Sequence, residues 1–126
     1  DVGRTTLPPS RAVAAYDLRF ADQPDGRVTV TTADGLPVGV FESGTNGFAR
    51  GVLRSLARER KREGIGHEPP FRLTRWTDGR LSLDDPSTGE HVDIEVFGPT
   101  NAEPFANLWR AADAARHHRT ADAGRP

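Results

Sequence analysis

Leu81 and Leu83 alternate with Arg80 and Ser82, and Val92, Ile94 and Val96 alternate with His91, Asp93 and Glu95. A period of two buries one face of a strand, so both stretches are expected to be half-buried strands. Val28 and Val30, then Val38 and Val40, follow the same pattern earlier in the chain, and Pro37 marks a strand start or a sheet edge. Turn signals separate these runs at Asp25-Gly26, Asp34-Gly35, Asp78-Gly79 and Thr88-Gly89. Asp78-Gly79 is expected to supply the positive-φ residues of a two-residue hairpin turn.

Elsewhere the apolar period lengthens to that of a helix. Phe48, Val52, Leu53 and Leu56 form one stripe, preceded by Thr45 or Asn46 as N-cap and ended by Gly64 and Gly66. Phe105, Leu108 and Trp109 form another, on a helix starting near Thr100 or Asn101. Glu103 would complete a capping box on Thr100, and Pro104 is tolerable only in the first turn. Alanine-rich sequence carries this helix toward Arg116, and Thr120 to Pro126 reads as a loose tail.

The two halves match in order. Leu18 to Leu53 and Phe71 to Trp109 each hold a strand, an Asp-Gly-Arg turn, two more strands and a Thr-Asn helix start. The expected fold class is α+β: a duplicated β-β-β-α unit, with antiparallel sheets and two packing helices in a single compact domain. That domain spans 16–116, as repeats 16–63 and 70–116. Residues 1–15, with Pro8-Pro9, are expected to be an extended linker, and 117–126 a flexible tail. The seven residues from Gly64 to Pro70 cannot hold a further domain. Three-stranded sheets are marginal alone, and a barrel, a sandwich or one sheet with two helices would each join them in one core.

Composition narrows the chemistry. The 126 residues include no cysteine, which excludes disulfides, thiolate catalysis and cysteine-ligated metals. No apolar run approaches the roughly 20 residues of a membrane helix. Methionine is absent as well, from which a truncated or processed chain is expected, with a segment preceding Asp1. Net charge is −1, yet Arg50 to Arg62 holds six cations, Arg50, Arg54, Arg58, Arg60, Lys61 and Arg62, against Glu59 alone. The acidic remainder and the lack of interleaved aromatics disfavour nucleic acid. Such an arginine row reads as a solvated helix face, or as a docking surface for carboxylates of partner proteins or anionic headgroups.

Candidate reactive motifs are weak. His91, Asp93 and Glu95 share a strand face, where a wet face is the expected reading rather than a metal site. His67-Glu68-Pro69-Pro70 lacks the second histidine of a zinc-protease helix, and His67 is expected to be an exposed loop residue. His117 and His118 fall near the frayed end. Glu42-Ser43-Gly44 is no nucleophile elbow, and Gly44-Thr45-Asn46-Gly47 is a turn and cap, not a phosphate loop. Asp84-Asp85 reads as a turn pair. Nothing assembles an acid, a base and an oxyanion donor, so the chain is expected to be no enzyme and to hold no cofactor or metal.

The run Gly47-Phe48-Ala49-Arg50-Gly51-Val52-Leu53-Arg54-Ser55-Leu56-Ala57-Arg58-Glu59-Arg60 carries a resemblance, joined by Pro70 to Trp76, Asp78 to Leu83 and Phe97 to Ala102. Over roughly Tyr16 to Trp109 the chain resembles the photosynthetic complex assembly family of purple bacteria, PuhC. The resemblance implies an N-terminal membrane anchor, here absent, and a soluble domain in the periplasm at the inner, photosynthetic membrane. It implies a non-catalytic assembly factor whose partners are reaction-centre and core light-harvesting (LH1) subunits. The alternatives are a permanent structural subunit of that complex, and a domain binding bacteriochlorophyll or lipid. Partner contacts are expected at Phe48, Arg50, Gly51, Arg54, Arg58, Arg60 and Arg62.

Overall fold

The computed structural model describes residues 10–123, with side chains through 117. Residues 1–9 of the expected linker, residues 124–126 of the expected tail and the side chain of His118 lie outside the described residues. The elements run β1 (Ala12–Asp22), β2 (Val28–Thr32), β3 (Pro37–Phe41), α1 (Gly47–Arg62), β4 (Phe71–Trp76), β5 (Leu81–Asp85) and β6 (Glu90–Asp93), then a 3₁₀ turn (Ile94–Phe97) and α2 (Pro99–Ala123).

The six strands form one antiparallel sheet, in the order β3-β2-β1-β4-β5-β6. The two three-stranded sets therefore do not make separate sheets. They join edge to edge where β1 pairs with β4, Tyr16 opposite Leu73 and Leu18 opposite Phe71. β1 has eleven residues and serves both neighbours: its second half pairs with β2, its first half with β4. Residues 12–15, expected in the linker, are part of this central strand.

Three loops share one geometry. In Gln23–Arg27, Thr32–Leu36 and Trp76–Arg80, the first residue's N–H donates to the fifth residue's carbonyl, and its own carbonyl accepts the N–H of the fourth, a glycine. Within these three loops only the glycines Gly26, Gly35 and Gly79 have positive φ; Asp78 does not. The expected two-residue turn is thus a longer loop that closes on a single left-handed glycine. Asp25 and Asp78 each accept the N–H two residues on, at 3.1 and 3.0 Å, and pair with Arg27 and Arg80 at 2.8 and 2.7 Å.

Strand parity places Leu18, Val28, Val30, Leu73, Leu81 and Leu83 on one sheet face, buried beneath both helices. α1 contributes Ala49 and Leu56; α2 contributes Ala102, Phe105, Leu108, Trp109 and Ala112. Gly39 allows α2 to lie on β3, since a β-carbon there would stand 2.6 Å from Leu108 Cδ2. Among the described residues no helix covers the opposite sheet face, which carries paired polar groups such as Arg72 on Asp17 at 2.9 Å.

Three boundaries differ from the sequence reading. β6 stops at Asp93, so the alternation does not continue; Ile94 is buried while Val96 is 74% exposed. α2 begins at Pro99, and the Gly98 carbonyl accepts the Ala102 N–H, so Gly98 rather than Thr100 caps it. This earlier start puts Pro104 in the second turn, beyond the position that tolerates proline freely. α2 also runs on to Ala123, past the expected end near Arg116.

Candidate docking surface on α1

α1 starts at Asn46, which adopts a left-handed conformation (φ 56°) with no side-chain cap bond. The expected capping side chain is replaced by a clamp. The Arg50 guanidinium donates to the carbonyls of Thr45, Gly26, Phe41 and Glu42 at 2.5, 3.0, 3.1 and 2.6 Å. These four acceptors tie the helix start to the first hairpin and the end of β3. Arg50 is therefore occupied by the fold, which corrects its expected role as a free contact.

Arg60 needs a larger correction. It is 3% exposed and forms a two-pronged pair with the fully buried Asp85, Nε to Oδ2 at 2.6 Å and Nη2 to Oδ1 at 2.9 Å. Its guanidinium also lies 4.0 Å from the centre of the Phe71 ring and donates to the Pro70 carbonyl. Burial pushes the Asp85 carboxyl up, but hydrogen bonds from Arg60 and Ser87 outweigh it and hold the group below the ordinary carboxylate range. Arg60 is a core ion pair, unavailable to a partner.

The remaining expected contacts stay near the surface. Arg54, Arg58 and Arg62 are exposed. Arg62 pairs with Glu59 at 2.8 Å, whereas neither Arg54 nor Arg58 has an ion-pair partner among the described residues. Phe48 is half-buried against Phe97, ring centres 4.8 Å apart, and Gly51 lies one turn on. Arg54 and Arg58 lie one turn apart on the outward face of the helix and border different grooves. Arg54 borders a groove of about 440 Å³ floored by Phe20, Leu53 and Phe71, with His67 at its rim. Arg58 borders a second, of about 600 Å³, between α1 and β6.

His91 stands on the helix-free sheet face and forms the centre of a polar chain. Trp76 Nε1 donates to Ser82 at 2.9 Å, Ser82 reaches Asp84 at 3.3 Å, Asp84 meets His91 Nδ1, and His91 Nε2 meets Asp93 at 3.0 Å. Glu95 is not part of this group; its carboxylate accepts the Leu81 N–H at 2.6 Å. Among the described residues no three such side chains are placed to hold a metal ion. The hydrogen bond to Asp84 raises the His91 pKa, against a smaller opposing effect of burial. A raised folded-state pKa stabilises the fold below the unfolded value near 6.5, and this is lost as pH rises through the folded value. The ring is half exposed, so the effect is expected to be only about 0.5 kcal/mol. An NMR titration should place His91 above 6.5, and Asp84→Asn should move it down; an unshifted His91 would contradict the geometry.

The helix-free face thus holds a closed polar network, while α1 presents cations above apolar grooves. No helix among the described residues is long and apolar enough to cross a membrane. The arrangement is that of a two-layer α+β domain with one cationic, groove-flanked helix. Residues 13–113 match the model of the family described as "Photosynthetic complex reorganisation protein PuhC", and the chain belongs to that family. It is 28% identical over 105 residues to a Rhodobacter capsulatus protein described as an uncharacterized 17.4 kDa protein in the puhA 5′ region. That alignment covers 79% of this chain and 60% of the relative, so the chain spans about three fifths of the relative's length. No solved structure matches.

Proposed function

We propose that the chain is a non-catalytic assembly factor that docks reaction-centre and LH1 subunits at the periplasmic face of the photosynthetic membrane. Family membership supports a role in photosynthetic complex reorganisation. The observation that carries the docking surface is the pair of exposed cations Arg54 and Arg58, without an ion-pair partner among the described residues and each beside an apolar groove. Guanidinium groups flanking apolar floors suit acidic, partly apolar protein surfaces. Attachment through an N-terminal helix belongs to the same proposal. Tethering would raise the local concentration of partners, so modest contacts would suffice. The shared loop geometry at Asp25 and Asp78, and the β-β-β-α order of both halves, support descent from one duplicated unit.

The test is co-purification of the membrane-attached protein carrying Arg54→Glu with Arg58→Glu. Recovery of reaction-centre and LH1 subunits should fall about tenfold, as loss of complementary charge predicts. The melting temperature should stay unchanged, because neither guanidinium has an ion-pair partner among the described residues. Unchanged recovery would reject this surface. Partner subunits at fixed stoichiometry in the mature particle would instead make the chain a permanent component.

A further inference from the structure

The groove between α1 and β6 lies beside an open sheet edge. β6 is the last strand of the sheet and pairs only with β5 among the described residues. Alternate residues of an edge strand direct their N–H and C=O groups outward, where another strand can bond them. At the other end of the sheet, β3 starts with Pro37, which has no N–H to offer, and Leu108 of α2 packs over Gly39. β6 has no proline. The side chains of His91 and Asp93 are held on the helix-free face by Asp84 and Arg80, away from the groove.

The groove itself is apolar on its floor, and its lip carries Arg58 and Arg62 beside Glu59 and Glu90. Phe48, Val52, Val92 and Phe97 line it, with Arg58 at the rim. Phe97 and Val96 are 47% and 74% exposed and extend the apolar surface beyond it. Glu59 is paired with Arg62, and among the described residues Arg58 has no ion-pair partner.

We propose that β6 and this groove bind an extended segment of a partner protein as a seventh strand. The segment carries apolar residues at alternate positions, which enter the groove, and a carboxylate that meets Arg58. Strand addition fits because backbone bonding to an edge supplies affinity while alternate side-chain pockets supply selectivity. Four residues of β6 offer about 13 Å of edge, at roughly 3.3 Å per residue. This deepens the assembly reading by giving the partner's shape and chemistry.

Gly51 provides the decisive variant. It lines the groove, and a β-carbon there would meet nothing nearer than Arg54 Nη2 at 4.0 Å. Gly51→Leu should therefore fill the groove while helix propensity keeps or raises the melting temperature. The probe is the peptide Ac-Glu-Thr-Leu-Thr-Val-Thr-Phe-NH2, with its glutamate on the same strand face as its apolar residues, followed by NMR of the amides of Glu90–Asp93. Expected are shifts and slowed hydrogen exchange at β6, lost when the peptide's valine is replaced by proline. Affinity should weaken at least about tenfold in Gly51→Leu, and about threefold with salt-dependent loss in Arg58→Glu. Absence of β6 shifts, or equal binding of the proline peptide, would overturn the proposal. So would the same β6 protection from vesicles of anionic and zwitterionic phosphatidyl lipids, which assigns the groove to lipid. Concentration-dependent dimerisation abolished by Gly51→Leu would assign it to a second copy of this chain. Peptide binding needs no photosynthetic subunit. Its failure alongside intact co-purification removes only the groove proposal; the reverse removes only the assembly reading.

Discussion

Asp85→Ala is expected to destabilise the domain by about 3–5 kcal/mol, measured as a fall in the urea midpoint. The substitution leaves the Arg60 guanidinium buried with no counter-charge, and that uncompensated charge is the dominant cost. It also removes the acceptor for Ser87 N–H and Oγ–H at 3.0 and 2.6 Å, which shape the β5–β6 loop. Against a typical domain stability of about 5–15 kcal/mol, this is enough to leave a large unfolded fraction. Replacing both partners, Arg60→Met with Asp85→Leu, should recover most of the loss, because apolar groups of similar volume carry no desolvation cost. The pair also sets an acid limit. Asp85 titrates lower in the fold than in the unfolded chain, so its contribution is complete above the ordinary carboxylate range and is lost as pH falls through the folded value. Stability should drop with acid below about pH 4. A double variant that lost stability as severely as Asp85→Ala, or an unchanged acid slope in Asp85→Asn, would contradict the buried-pair account.

Phe105→Ala should be comparably severe, at about 3–5 kcal/mol. Phe105 is fully buried and meets Phe41 edge to face, ring centres 6.5 Å apart. It fixes α2 to the β3 end of the sheet, where Leu108 rests over Gly39. The cavity left behind cannot collapse easily, since Gly39 already brings Leu108 as near as the strand permits. Because Trp109 is on the same helix and packs edge-on against Tyr16 at 5.6 Å, the near-ultraviolet circular dichroism should weaken with the melting temperature. A loss below 1 kcal/mol would mean that α2 is held by other contacts.

The alternation in β2 and β5, and the stripes of both helices, were readable because each apolar residue repeats at the period of its element. Arg60 and Asp85 were also within reach. Asp85 continues the parity of Leu81 and Leu83, and Arg60 lies four residues after Leu56, so both fall on buried positions. Opposite charges on two buried parities are a signal for an internal ion pair. Counting charges along α1 hid it, because the same count treats an inward arginine and an outward one alike. Arg50 was hidden for another reason: its acceptors are carbonyls from separate turns, and carbonyls leave no mark in the sequence. The single sheet depends on residues 12–15, where Ala12, Val13, Ala14 and Ala15 show no alternation. Without that stretch β1 is too short to bond along its length on both sides. The cationic row on α1 was thus legible as a charge row, but only Arg54, Arg58 and Arg62 of its arginines are exposed, Arg50 being half-buried and Arg60 buried.

The seam between β1 and β4 brings residue 18 beside residue 71. All other strand pairings join neighbours in the chain, so this one carries the largest loop-closure entropy. Both meanders can form early from local contacts, while the continuous sheet must wait for the seam. A chain emerging from synthesis would therefore expose a half-paired β1 edge until β4 arrives, and that interval is when it is most open to mispairing with another copy.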